Sequence, residues 1–332
     1  MNEKYRASLK SAETEDWLDL HVIRPFCYYC AVFFAKFDIH PNTVTIWSMI
    51  IGAASAWFFA QGSFVYGDNT NGDTTLGLVY NIIAVLLLMV ADILDCTDGQ
   101  LARMTGKKSR MGRILDGVAG FTWFIPIYHA MVYRFYLHHD LEFNFLGIAD
   151  TQQNVLIATA IVYALGLTAG IAGLAGQQRL ADYYIQVHLF FLKGEKGSEL
   201  DNSKRQQEIY DQMTPETHTW SERYFQKSYI DYTKKQEATT PQFQRLMARL
   251  REKFGTNIPA EVREEFRQKS LPVIFWNGLL TFNFRETWLF LFCLLDVPVC
   301  HFLFEIIVMG LLWKYVNHRH ESFCRQMADN IK

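Results

Sequence analysis

Asp95, Asp98 and Asp116 set the chemistry open to this chain. Two of them lie in the stretch Asp95-Cys96-Thr97-Asp98-Gly99-Gln100-Leu101-Ala102-Arg103, at the end of a long apolar run, and the third follows shortly after. Carboxylates are costly in hydrocarbon and are rarely placed there without a partner. At about 100° per residue of helix, Asp95, Asp98, Gly99 and Ala102 fall within an arc of about 100°, with Arg103 at its edge. The two carboxylates thus share a face that Gly99 and Ala102 keep shallow, so a bulky ligand can approach the backbone. Arg103 can grip phosphate bidentately. Gly112 and Asp116 stand one turn apart at the start of the next apolar segment, and a short antiparallel connection returns Asp116 towards Asp95 and Asp98. All-oxygen ligands suit Mg2+ or Mn2+ rather than zinc. Two such ions can clamp a phosphoryl group and its leaving oxygen. A buried polar network or an ion pathway would use the aspartates, but it needs neither the glycines nor the arginine in register.

The elements that must hold these residues are membrane helices. The chain has 332 residues, 50% hydrophobic and 15% aromatic, too apolar for an ordinary soluble protein, so apolar and polar stretches must be segregated. A crossing needs about 20 mostly apolar residues. Residues 43–61, 76–91, 117–133 and 155–176 supply four, and 271–313 is apolar enough for two more with a turn near Asp296-Val297-Pro298. Pro126 should kink the third, and Gly166, Gly170, Gly173 and Gly176 suit close helix approach in the fourth. The fold class expected is an all-α integral membrane protein, a six-helix transmembrane bundle. An interfacial amphipathic helix precedes it in residues 1–40, centred on 25–35. Spans one to four occupy 41–176, a polar helical cytoplasmic insertion 177–270, spans five and six 271–318, and a cytoplasmic tail 319–332. Residues 1–16 are polar, and no signal peptide is expected there. The six cysteines are scattered and read as free thiols, and Cys27 and Cys30 read as small apolar residues one turn apart rather than a zinc pair.

Orientation follows from the short loops. Arg103, Lys107, Lys108, Arg110 and Arg113 crowd the loop after the second span with no acid among them. The loops after the first and third carry Asp68, Asp73, Asp140, Glu142 and Asp150, and Arg134, directly after the third span, is their one Lys or Arg. The positive-inside rule then places the motif loop, the insertion and both termini in the cytoplasm, with the cell inner membrane as the expected location. The formal net charge of −2 decides nothing by itself, and no nucleic-acid partner is expected.

The stretch from Asp95 to Asp116 resembles the signature of the CDP-alcohol phosphotransferase family, D-x2-D-G-x2-A-R, about eight residues, then G-x3-D-x3-D. Asp95, Asp98, Gly99, Ala102, Arg103, Gly112 and Asp116 all match, and Pro41-Asn42-Thr43-Val44-Thr45 is similar to the Pro-Asn-x-x-Thr start of the family's first span. The resemblance implies a usually dimeric six-helix enzyme that moves a phospho-alcohol group from a CDP-linked donor to a hydroxyl and releases CMP. It implies that Asp95, Asp98 and Asp116 ligate two ions of Mg2+ or Mn2+, and that Gly99, Ala102, Arg103 and Gly112 shape the nucleotide and diphosphate pocket. The donor expected is CDP-diacylglycerol. The acceptor expected is a polar alcohol such as inositol or its phosphate, because residues 109–116 are similar to the segment of bacterial inositol-phosphate-using members.

One position departs from the pattern. The family's last aspartate, its general base, falls at 120, where this chain has Gly120. Losing a general base typically costs about 10²–10⁴-fold in rate. Asp92, one turn before Asp95 and about 60° from it, is the sequence's candidate for the missing carboxylate, with Asp116 as the other catalytic residue. A contact deeper in the bundle is the alternative for Asp92. The alternative for the whole chain is a non-catalytic protein that binds metal and CDP-lipid. Lys107, Lys108, Arg110 and Arg113 could hold an anionic acceptor or lipid headgroups, or serve only as a topology signal. His129, about 20 Å along the helix from Asp116, is too far to act as a base. His301 and Glu305 are expected to pair structurally, and His318 and His320 to be solvated.

Overall fold

The structure is a computed structural model that describes residues 5, 8, 9, 11–15, 19–63 and 65–331; the side chains of Arg110, Ile114 and Lys196 lie outside that description. The protein is almost wholly helical and divides into two units, Met1–Leu174 with Phe282–Val308, and Ala175–Thr281 with Met309–Lys332.

The first unit opens with a π-helical turn, Asp19–Ile23, leading into α1, Arg24–Lys36. Then come α2 (Pro41–Gln61), a two-residue hairpin of β1 (Gly62–Ser63) and β2 (Gly67–Asp68), α3 (Thr74–Thr105) and α4 (Arg110–Leu137). Each long helix starts at a side-chain cap. His40 Nδ1 accepts from Asn42 N (3.2 Å), Asp73 Oδ1 from Thr75 N (2.8 Å) and Ser109 Oγ from Gly112 N (2.9 Å). Such caps satisfy backbone donors that a helix start leaves open. After α5 (Asp140–Leu146) and α6 (Gln152–Thr168), the chain rejoins this unit as α12 (Phe282–Leu294) and α13 (Pro298–Leu303).

Small residues explain how α2, α3 and α4 meet. Ser48, Gly52, Ser55 and Ala56 are buried on one stripe of α2, and Gly77, Asn81, Ala84 and Ala91 on one stripe of α3. Lipid tails are as apolar as leucine, so helices in a membrane associate by close packing of small side chains rather than by burying large ones. Large apolar side chains point outward instead: Ile50 is 61% and Trp57 55% exposed. That inversion is the mark of a lipid-facing surface. On α1, Phe26, Tyr29 and Phe33 are likewise exposed while Cys27 and Ala31 are buried against α3.

Among the described residues four helical runs are long and apolar enough to cross a membrane: Pro41–Gln61, Thr74–Thr105, Gln152–Lys193 and Pro298–Asn330. The protein is therefore a membrane protein with several apolar helices. Six spans were expected. The third, in α4, is long enough but is diluted by Arg113, Asp116 and the fully buried Arg134. The fifth is interrupted at Leu279–Thr281, which leaves α12 with 13 residues, about 20 Å of helix against a hydrocarbon core of about 30 Å.

In the second unit α7 (Gln178–Lys193) follows a π-helical stretch, Ala169–Gln177. It is joined by α8 (Ser203–Asp211), α9 (Trp220–Thr239), α10 (Pro241–Phe254), α11 (Ala260–Gly278) and α14 (Gly310–Asn330). Its core is aromatic. Phe191 stacks on Phe266 at 3.7 Å, and His320 stacks on Tyr184 at 3.9 Å. His320 is thus buried, not solvated as its place near the chain end suggested, because α14 packs along α10 and α11. His318, two residues earlier, is exposed as expected.

Candidate active site

The chemistry-bearing residues lie where α3 ends and α4 begins. Gly106 closes α3 at φ +71, a left-handed conformation that glycine adopts without strain. Lys107 and Lys108 follow, and Ser109 starts α4. A four-residue connection forces the two helices antiparallel and brings Asp116 back beside the aspartates of α3. Asp95 interacts electrostatically with Asp116, Asp98 and Asp92, with Arg24 as the opposing charge, and Asp98 interacts with Asp116 and Arg103. The three motif aspartates therefore share one electrostatic neighbourhood. Asp98 is 4% exposed, Asp95 half-buried and Asp116 exposed, so the cluster grades from interior to surface.

The carboxylates do not converge on one point. Among the described residues, the sets of three ligating atoms within 4.8 Å of one another are His139–Asp140–Asp150 and His320–Glu321–Cys324, and neither contains a motif aspartate. Asp98 is turned to Thr45, whose hydroxyl donates to it. Asp95 Oδ1 is buried with no hydrogen-bond partner among the described residues. A buried oxygen left open among like charges is what an oxygen-ligated divalent cation relieves. The open Oδ1 of Asp95 is the donor type that suits Mg2+ or Mn2+, although Asp95, Asp98 and Asp116 do not bring three ligating atoms within 4.8 Å of one another.

The start of α2 does more than the sequence revealed. Besides Thr45, Asn42 packs its Oδ1 against the motif: a Cβ on Gly112 would lie 2.8 Å from that oxygen and 3.0 Å from Ser109 Oγ. Gly112 is glycine because Asn42 and Ser109 fill the space. Gly99 lies under the Arg103 guanidinium, where a Cβ would sit 3.2 Å from Nη1. Arg103 Nε donates to the Ser8 carbonyl, and the guanidinium interacts with Asp116 and Glu15. Ala102 is half-buried beside it.

Of the basic candidates, Lys107 pairs with Asp38 at 2.5 Å, and this ammonium holds the Asp38 carboxyl below the usual carboxylate range. Lys108 and Arg113 are exposed, and the Arg110 side chain lies outside the described residues. Arg24 is a cation the sequence reading missed. It ion-pairs with Glu15 at 2.9 Å and its field reaches Asp92 and Asp95, although it is the lone arginine before Pro25 and belongs to no motif.

Asp92 lies towards the N-terminal segment, where it interacts with Asp19 and Arg24. At position 120 the structure gives the reason for glycine. A Cβ there would lie 2.2 Å from Cζ of Phe282 and 2.6 Å from Cε1. The aromatic ring of α12 occupies the volume an aspartate would need. Elsewhere Cys27 is buried and donates to the Ile93 carbonyl at 3.5 Å, and all six cysteines are free. His301 lies 3.3 Å from Glu305, and Glu305 also pairs with Arg285 and accepts from Tyr128, a buried structural knot. His129 hydrogen-bonds the Ile125 carbonyl at 2.7 Å.

Residues 38–179, which hold every motif position from Asn42 to Gly120, match the family model described as CDP-alcohol phosphatidyltransferase. No curated protein and no solved structure matches the chain. An apolar helical scaffold that gathers aspartates, an arginine and close-approach glycines inside the matched span fits a transferase of phospholipid synthesis, and over residues 38–179 the chain is similar to the CDP-alcohol phosphatidyltransferase family.

Proposed function

We propose that the protein transfers a phosphatidyl group from CDP-diacylglycerol to the hydroxyl of a polar alcohol, inositol or inositol phosphate, and releases CMP. The observation that carries this reading is the shared field of Asp95, Asp98 and Asp116 with the open Oδ1 of Asp95 at its centre. A divalent ion, or a pair, held by these three carboxylates would neutralise charge on the diphosphate. Arg103 grips that diphosphate, and Gly99, Ala102 and Gly112 leave the helix faces low enough for the nucleotide to lie against the backbone. Thr45 fixes the Asp98 carboxylate, so positioning is established before substrate arrives. Lys108, Arg110 and Arg113 receive an anionic acceptor at the cytoplasmic mouth. Phosphoryl transfers of this kind draw most of their rate from positioning and electrostatics.

The same reading keeps six crossings, α4 among them, in a homodimer in the inner membrane with the motif loop facing the cytoplasm. The loop charges and the family resemblance support it. Incubating purified protein with Mg2+ or Mn2+, CDP-diacylglycerol and a panel of polar alcohols tests the activity. CMP release with an inositol-containing lipid of the expected mass supports it, and CMP release with no lipid product refutes it.

Phe282 at position 120 favours a second reading, a protein that binds CDP-lipid and metal without turnover. CDP-lipid binding with no CMP release under any alcohol selects that alternative.

A further inference from the structure

The Phe282 ring that excludes an aspartate at position 120 also brings a carboxylate with it. Glu286 follows Phe282 on α12 by four residues, so the two share one face of that helix. Glu286 is 5% exposed, and its Oε1 has no hydrogen-bond partner among the described residues. The charge acting on it is that of Asp92, and Asp92 in turn acts on Asp95. The neighbouring Arg285 does not neutralise it, because that guanidinium is committed to Glu305. Asn283 Nδ2 donates to Asp19 Oδ1 at 2.7 Å, which fixes the start of α12 to the segment carrying Arg24. A carboxylate buried without a cation is costly, and this one lies one helical turn from the ring that fills the space at position 120.

We propose that Glu286 supplies from α12 the catalytic carboxylate that the motif lacks at Gly120. The inference rests on the transferase reading above. Glu286 takes the proton of the acceptor hydroxyl as that oxygen bonds to the distal phosphorus of the donor. The bond from this phosphorus to the bridging oxygen breaks, and its electron pair leaves with CMP. Asp92, whose charge acts on Glu286, is the positioning residue.

The test uses the full chain in phosphatidylcholine vesicles with Mn2+, CDP-diacylglycerol and the alcohol that supports turnover. Glu286→Gln should lower kcat by about 10²–10⁴-fold, while Mn2+ binding, read by electron paramagnetic resonance, and CDP-diacylglycerol binding stay within about threefold of wild type. Adding Gly120→Asp and Phe282→Ala to that variant restores the motif carboxylate and should recover at least a tenth of the lost rate, which no purely structural role of Glu286 would permit. Should Glu286→Gln fail to fold, Glu286→Asp keeps the charge and withdraws the oxygen, and a drop in kcat of at least tenfold is expected. Unchanged kcat in a folded Glu286 variant overturns the inference alone, as does loss of Mn2+ binding in parallel with kcat. Wild-type protein that binds CDP-diacylglycerol and releases no CMP overturns the transferase reading and the inference together.

Discussion

At the scale of single residues, the site depends on contacts that hold carboxylates rather than on the carboxylates alone. Thr45 is the clearest case. Its hydroxyl donates to the buried Asp98, so removing it leaves an acceptor without its partner in a low-dielectric site. Thr45→Val should lower kcat/KM by about 10–100-fold, the range seen when a residue that orients a metal ligand is lost, with a fall in stability of about 1–3 kcal/mol from the buried acceptor left unpaired. Steady-state CMP release checks this. Asn42 and Gly112 form a matched pair of the same kind, a side chain and the space it needs.

At the scale of elements, the connections fix the helices. Three backbone N–H groups converge on Asp68 in the turn before α3, from Asp73 at 2.8 Å, Thr70 at 3.0 Å and Asn71 at 3.2 Å. These bonds hold its carboxyl below the ordinary range, the Asp73 N–H most of all. A depressed folded pKa gives stability that is present above the unfolded value of about 3.9 and is lost as pH falls through the folded one. The melting temperature of Asp68→Asn should therefore lie below that of wild type at pH 6, and the gap should close on acidification below pH 4. Where α4 ends, Arg134 is buried between Asp296, Asn81 (2.8 Å) and the Cys293 carbonyl (2.9 Å), and Asp296 also accepts from Ser63 Oγ at 2.7 Å. Breaking such a buried pair from one side costs about 3–5 kcal/mol, whereas an apolar pair of similar volume can be neutral. Arg134→Ala should lower the melting temperature in detergent strongly.

At the scale of the whole molecule, charge on the loops sets which side carries the site. With the motif loop in the cytoplasm, a cysteine at Lys108 should react with an impermeant maleimide in inside-out vesicles. A cysteine at Asn71 should react in right-side-out ones, on a background with the six native thiols replaced. The opposite pattern would invert the topology. The second unit, with its Phe191–Phe266 and Tyr184–His320 stacks, is a packed helical body rather than a loop, and the family match stops at residue 179, near its beginning.

The sequence by itself carried the family resemblance and the helical register of the motif residues. Asp95, Asp98, Gly99, Ala102 and Arg103 lie within nine residues of one helix, and the helical period alone decides that they share a face. The short basic loop decides that Asp116 returns to them. Residues joined by long-range packing were not legible. Thr45 and Asp98 are 53 positions apart, Phe282 reaches Gly120 across more than 160 residues of chain, and Glu286 belongs to no motif of the sequence. Periodicity carries no information about which helix packs on which, so the occupant of position 120 and the carboxylate that accompanies it were decided only by tertiary structure. Among the described residues four helical runs are long and apolar enough to cross; apolar content shows where a helix could enter lipid, but helix breaks and buried ion pairs such as Arg134–Asp296 follow from how the elements meet.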